Sequence, residues 1–362
     1  MDQTSDSPST TSTAMTAPPR QIDAEWRRWI AENVLLNKGG QSIVDAMVRS
    51  GFAPETASAE VEAAMAHPYI KAARELARPV ENTPAVRDGE FQLKKHRWVL
   101  ECQRRAARQA ANFGTVPRVF RPSRQEFLDR FYAANQPVLI EGAMDNWPAL
   151  GAWTAENLKR RLGSQLVEVQ ANRSSDANYE RDSTRLRQTM PFGEFVDRVE
   201  SAGCSNDWYI TAKNAGPNAL SLAELWNDIV AFPEYLRDDL NNRGFFWFGP
   251  AGTITPLHHD LTNNLMAQVR GSKLVRLVAP FDLPRVYNDV HCYSQVDLGN
   301  PDFTRFPLLK DATIIDVTLH PGEVLFLPVG WWHYVRSLEI SITMTFTNFV
   351  FDNDFYSFYS AG

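Results

Sequence analysis

From residue 244 to 351 the chain alternates short apolar runs with glycine and proline breaks, the pattern of successive strands. Phe245-Phe-Trp-Phe-Gly249 opens this region, and 264–269 and 273–278, separated by Gly271, read as a hairpin. Between 137 and 230 strands and helices interleave. The segments 137–142, 167–170 and 207–211 read as strands; 156–162, 190–199 and 220–229 read as helices, and Ser123-Arg-Gln-Glu126 is a capping box for another. The first hundred residues follow the helical period instead. Trp26, Ile30 and Val34 share one face, Ile43, Ala46 and Met47 a second, and Ala57, Val61, Ala64 and Met65 a third, which predicts a small helical bundle disturbed at Pro68. In 91–113, Trp98, Val99, Cys102, Ala106 and Ala110 predict an apolar face, with Lys94, Lys95, Arg104, Arg105 and Arg108 on the solvated side. Residues 1–20 are rich in Ser, Thr and Pro and predict a disordered tail. The pattern gives an α+β chain in three parts: a tail over 1–20, a helical N-terminal region over 21–115, and a strand-rich domain over 116–362.

His258 and Asp260 stand two apart in a segment that reads as a strand, and the side-chain period of two puts them on one face. His333 follows a second apolar strand and the Gly330 turn. Two imidazoles and one carboxylate with open positions opposite form the facial triad that holds non-haem Fe(II). An H-x-D pair alone is common by chance. Its company is not: Thr255 lies three residues before His258, Asn264 four after Asp260, Lys273 fifteen after His258, and Asn348 fifteen after His333. The run Pro321-Gly322-Glu-x-Leu-Phe-x-Pro328-x-Gly330-Trp-Trp-His333 completes the pattern. His259 falls on the opposite face and reads as structural, as do His291 and Cys292 in the insertion over 280–311.

On these residues, the stretch from 137 to 353 resembles the cupin-type Jumonji C (JmjC) oxygenases, in particular the asparaginyl hydroxylase branch that includes factor inhibiting hypoxia-inducible factor. The resemblance implies a double-stranded β-helix, or jelly roll, with Fe(II) held by His258, Asp260 and His333, and with 2-oxoglutarate and O2 as co-substrates. It further implies that Lys273 pairs with the distal carboxylate of 2-oxoglutarate, and that Thr255, Asn264, Asn348 and the pocket tyrosine, Tyr209, complete that site. A buried charge is costly without a partner, which explains a lysine inside a barrel better than packing does. The implied activity is hydroxylation of a side chain of a protein or peptide substrate. The alternatives are a small metabolite or modified nucleoside as substrate, or a non-enzymatic metal-binding cupin.

Composition narrows the partners. With 44% hydrophobic and 22% charged residues the chain is that of an ordinary soluble globular protein. A net charge of −6 argues against coating nucleic acid as its main task. The three cysteines are far apart and form no C-x-x-C pair, which points to a reducing compartment. No basic start followed by an apolar stretch opens the sequence, and no run is long and apolar enough to span a bilayer. The expected location is cytoplasmic; the oligomeric state is left open.

Overall fold

The computed structural model describes residues 21–359 apart from 37, 78–83, 182, 231, 233 and 239–243, so the tail expected over 1–20 lies outside the described residues. The chain divides into two compact units, one ending at Lys94 and the other beginning at Lys95. The first holds α1 (Ala24–Leu35), α2 (Gly40–Arg49), α3 (Pro54–Ala66) and α4 (Pro68–Ala77). Asp23 caps α1 by accepting from the Trp26 amide at 2.9 Å. Ile30, Val34, Ile43, Met47, Phe52, Ala57 and Val61 bury one small core between these helices. Pro68 opens α4 instead of disturbing a longer α3, because proline at the first helical turn has no intrahelical amide bond to lose.

The second unit is built on strands. They are β1 (Arg118–Phe120), β2 (Val138–Glu141), β3 (Leu166–Gln170), β4 (Arg187–Pro191), β5 (Phe245–Gly249), β6 (Ile254–His259) and β7 (Asn264–Arg270). β8 (Lys273–Val278), β9 (Asn288–Val290), β10 (Tyr293–Ser294), β11 (Ile314–Leu319), β12 (Val324–Leu327), β13 (Trp332–Ser337) and β14 (Ser341–Phe346) follow. Two six-stranded sheets result, ordered β1-β2-β12-β7-β14-β5 and β11-β8-β13-β6-β10-β9. All their pairings are antiparallel except β1 with β2. The arrangement is consistent with a jelly roll.

β7 and β8 are not a hairpin. They lie in different sheets, and the turn at Gly271 carries the chain across. Gly271 has φ +62°, and a Cβ there would run into the Ile340 carbonyl, so a glycine at this crossing is required on both counts. A sequence pattern of strand, glycine and strand does not distinguish pairing from crossing.

Three clusters fill the unit. Leu139, Met266, Leu325 and Leu327 of one sheet meet Val275, Leu277, Val317 and Val335 of the other. Helices Ala155–Leu162 and Phe192–Ser201 cover the outer side of the first sheet through Leu158, Phe192, Phe195 and Val196. The 280–311 insertion covers the second sheet, where Val286, Val296, Leu298 and Phe306 pack on Leu257 and Trp332.

Helix α5 (Pro84–Ala107) corrects the predicted face. Trp98 is 58% exposed and Val99 39%, while Arg104 is only 7% exposed. The buried side is polar because it is met by a buried acid: Arg104 Nε lies 3.0 Å from Asp282, which also faces Arg285 at 3.2 Å. Arg104 donates as well to the Asp311 carbonyl. Periodicity put Trp98, Val99, Cys102 and Ala106 on one helix, which ends at Ala107 short of Ala110, but ion pairing decided which face is buried. The 220–229 segment is also shorter than expected, a 3-10 turn over Ala223–Asp228, and 207–211 contributes only isolated bridges at Tyr209 and Ile210.

Candidate metal and co-substrate site

β6 and β13 run side by side and place His258 directly opposite His333. The register shifts between this pair and the next, Thr255 opposite Val335, because β6 carries one extra residue there. Such a bulge re-aims side chains. In a regular strand Thr255 and His258, three apart, would face opposite ways. Here both line one pocket, while Leu257 and His259 turn outward. His259 packs edge-on against Trp332 at 4.8 Å, the structural part expected of it.

The ligand atoms of His258, Asp260 and His333 lie within 4.8 Å of one another. His258 Nδ1 is 2.8 Å from the Pro256 carbonyl, and His333 Nδ1 is 3.0 Å from the Trp331 carbonyl. Donation of Nδ1–H to those carbonyls fixes each ring and leaves both Nε2 lone pairs facing Asp260. The Nε2 atoms stand 3.6 and 3.9 Å from its carboxylate oxygens. Burial, then repulsion from His258, pushes His333 down to about 4, so the ring is neutral as a metal ligand must be. Burial alone would raise the Asp260 carboxyl, but His333, His258 and the Asn264 amide hold it below its ordinary value.

Lys273 opens β8 and is 1% exposed. Its ammonium donates to the Tyr209 hydroxyl at 3.2 Å, and no carboxylate among the described residues lies within ion-pair distance of it. Burial alone lowers its pKa to about 7. Lys273 lines the same pocket as the triad, with Tyr209, Thr255 and Asn264.

Seven of the eight residues singled out from sequence therefore meet in one pocket. Asn264 lines the pocket, and its amide also donates to Asp260 at 3.0 Å, which orients a candidate metal ligand. Asn348 is not brought to the pocket lining. Its amide donates to the Arg237 carbonyl at 2.8 Å, in a loop beyond β14. Sequence reading missed Trp247, Met266, Thr343 and Thr345 in the lining. Alternation along β5 was the available signal for Trp247, since its neighbours Phe246 and Phe248 are committed to the outer core.

The donor set fits a divalent metal: two imidazoles and a carboxylate, on oriented side chains, with one side of the group left to the pocket. The lone buried ammonium fits an anionic co-substrate.

Comparison with known proteins agrees. Residues 123–356 match the cupin-like domain family. The chain is 33% identical over 248 residues to lysine-specific demethylase 8 of Xenopus tropicalis, covering 64% of this chain and 52% of that protein. It is 35% identical over 232 residues to lysine-specific demethylase JMJ30 of Arabidopsis thaliana, covering 62% and 52%. It is 28% identical over 241 residues to tRNA wybutosine-synthesizing protein 5 of Gallus gallus, covering 63% and 75%. The chain thus spans about half the length of the two demethylases. These relatives support the JmjC resemblance but not its narrower form, the likeness to factor inhibiting hypoxia-inducible factor. With well over half of its length matched, the chain belongs to the cupin-like domain family.

Proposed function

We propose that the protein is an Fe(II)- and 2-oxoglutarate-dependent oxygenase that hydroxylates a side chain of a protein or peptide, on a double-stranded β-helix scaffold with the N-terminal helices as a bundle of their own. The observation that carries the reading is Lys273, a buried cation with no acid beside it among the described residues, in the pocket of a His-Asp-His triad. A generic metal-binding cupin has no use for that charge, whereas a dicarboxylate held at the metal would neutralise it.

With iron and 2-oxoglutarate bound, the chemistry supplied is insertion of oxygen from O2 into a C–H bond, with 2-oxoglutarate lost as succinate and CO2. His258, Asp260 and His333 would hold the metal, and Asn264 keeps Asp260 turned toward it. Lys273 and the Tyr209 hydroxyl would receive the far carboxylate. Tyr209, Trp247 and Met266 line the pocket with bulky side chains that keep water from the ammonium.

A second substrate class has its own support. The relative named for tRNA wybutosine synthesis matches over 75% of its length, which favours a modified nucleoside more than the net charge alone would. Removal of a methyl group from a lysine is favoured by the names of the two demethylases and begins with the same C–H hydroxylation. The experiment is anaerobic loading with Fe(II) and 2-oxoglutarate, then O2 with fractionated cell extract. Succinate release with a mass gain of one oxygen on a protein fraction supports the main reading. The same gain on RNA alone supports the second, formaldehyde release supports demethylation, and no succinate with any fraction rejects all three.

A further inference from the structure

Arg173 lies in the 172–187 segment, which its polar composition marks as a surface loop, yet it is 1% exposed. One Nη donates to Asn206 Oδ1 at 2.8 Å; the other donates to Glu180 at 3.0 Å and to the Ile254 carbonyl at 2.9 Å. The guanidinium sits 4.5 Å from the Tyr179 ring centroid and 5.0 Å from that of Tyr209. Asn206 Oδ1 also accepts from the Ile254 amide at 2.9 Å, so the fork and the start of β6 share one acceptor.

These partners belong to two places. Tyr179, Glu180, Asn206 and Ile254 line an outer cleft of about 580 Å3. Tyr209 lines the co-substrate pocket and holds the Lys273 ammonium. Tyr293, also in the cleft lining, stands 6.0 Å ring to ring from His258, so the cleft reaches the metal-binding edge. Arg173 meets residues of both places, the cleft through its hydrogen bonds and Tyr209 through the ring. We propose that Arg173 is a positioning residue: it fixes the ring of Tyr209 and the first residue of β6, and through them the co-substrate pocket, while holding from behind the residues that line the outer cleft. The inference rests on the co-substrate reading above.

Charge alone does not explain the placement. Glu180 already faces Lys213 at 3.1 Å, and a second cation is needed there only if its geometry matters. A planar fork serves three acceptors and lies against two rings; an ammonium cannot do so.

The test uses the full chain as Arg173→Lys and Arg173→Met, with Mn(II) in place of iron, and titration calorimetry of the metal and then of 2-oxoglutarate. The expected result is 2-oxoglutarate affinity weakened about tenfold in both variants, the size of one lost charge-assisted hydrogen bond of about 1.5 kcal/mol, with Mn(II) affinity unchanged. Lysine keeps the charge and the fold should the methionine variant lose it. Full recovery by Arg173→Lys, equal loss of Mn(II) and 2-oxoglutarate affinity, or unchanged 2-oxoglutarate affinity would each overturn the positioning role. A wild-type protein that binds Mn(II) but not 2-oxoglutarate would overturn the co-substrate reading, and this inference with it.

Discussion

Three cations are buried among the described residues of the strand-rich unit, and two of them, Arg104 and Lys273, are buried in opposite ways. Arg104 enters beside Asp282, itself fully buried, with Arg285 and Glu101 continuing the network at 3.2 and 2.9 Å. Lys273 enters between the sheets with a tyrosine hydroxyl and, among the described residues, no acid. Removing a charge from water costs several kcal/mol unless a partner restores it. At Arg104 the protein supplies that partner, and the pair fastens a helix. At Lys273 the cost stands in the ligand-free protein, relieved by loss of the proton or, on the proposed function, by a bound anion. A compensated buried charge is structure; an uncompensated one, in a pocket, marks a candidate binding site.

The comparison breaks most visibly at the triad. Asp260→Ala is expected to lower succinate formation by at least about a thousandfold, since two imidazoles alone leave the metal without its anionic ligand. The thermal midpoint should fall little, because Asp260 supports no core. Substantial succinate formation by this variant would remove Asp260 from the ligand set.

Lys273→Met separates binding from stability. Truncating one partner of a buried pair costs about 3–5 kcal/mol, so 2-oxoglutarate affinity should fall by roughly two to four decades. The ligand-free protein should become no less stable, since an uncompensated charge leaves with the side chain. A marked loss of stability would mean that an internal partner exists and the contrast with Arg104 is false.

Arg104→Met is the mirror experiment. It should cost roughly 3 kcal/mol of stability, the low end for a broken buried pair because Arg285 still faces Asp282. Metal and 2-oxoglutarate affinities should be unchanged. Chemical denaturation with the double variant Arg104→Met/Asp282→Leu should recover part of the loss; a deeper loss would show that the pair is not the fastening.

How far the sequence reveals each part follows from the same physics. The triad and Lys273 were legible because side-chain type and spacing are set by the ligand, whatever the surrounding packing. The crossing at Gly271 was not, since pairing and crossing give one local pattern. The buried face of α5 was not, since Arg104 is matched by Asp282, 178 residues away in sequence. Arg173 was hidden for that reason too: its acceptors are Glu180 nearby but also Asn206 and the Ile254 carbonyl. Asn348 shows the converse. Its spacing from His333 fits, but its amide is engaged by Arg237.

The smallest expected effect is the sharpest for Lys273, because it comes from the proton. Burial lowers the ammonium to about pKa 7 in the ligand-free protein, while an unfolded lysine keeps its proton to about 10.4. Between these values the unfolded chain binds more protons, so the ligand-free protein gains stability as pH rises from 7 toward 10. Co-substrate binding runs the other way. The anion needs the charged form, so each pH unit above about 7 should weaken 2-oxoglutarate affinity by up to about tenfold, with uptake approaching one proton per molecule bound. Calorimetric titrations from pH 6.5 to 9, in buffers of different ionisation enthalpy, measure both quantities. Lys273→Met should abolish the proton uptake and flatten this part of the stability curve. Wild-type affinity that is level across the range, with no proton taken up, would mean that the ammonium is already charged and compensated, and Lys273 would then belong with Arg104 as structure.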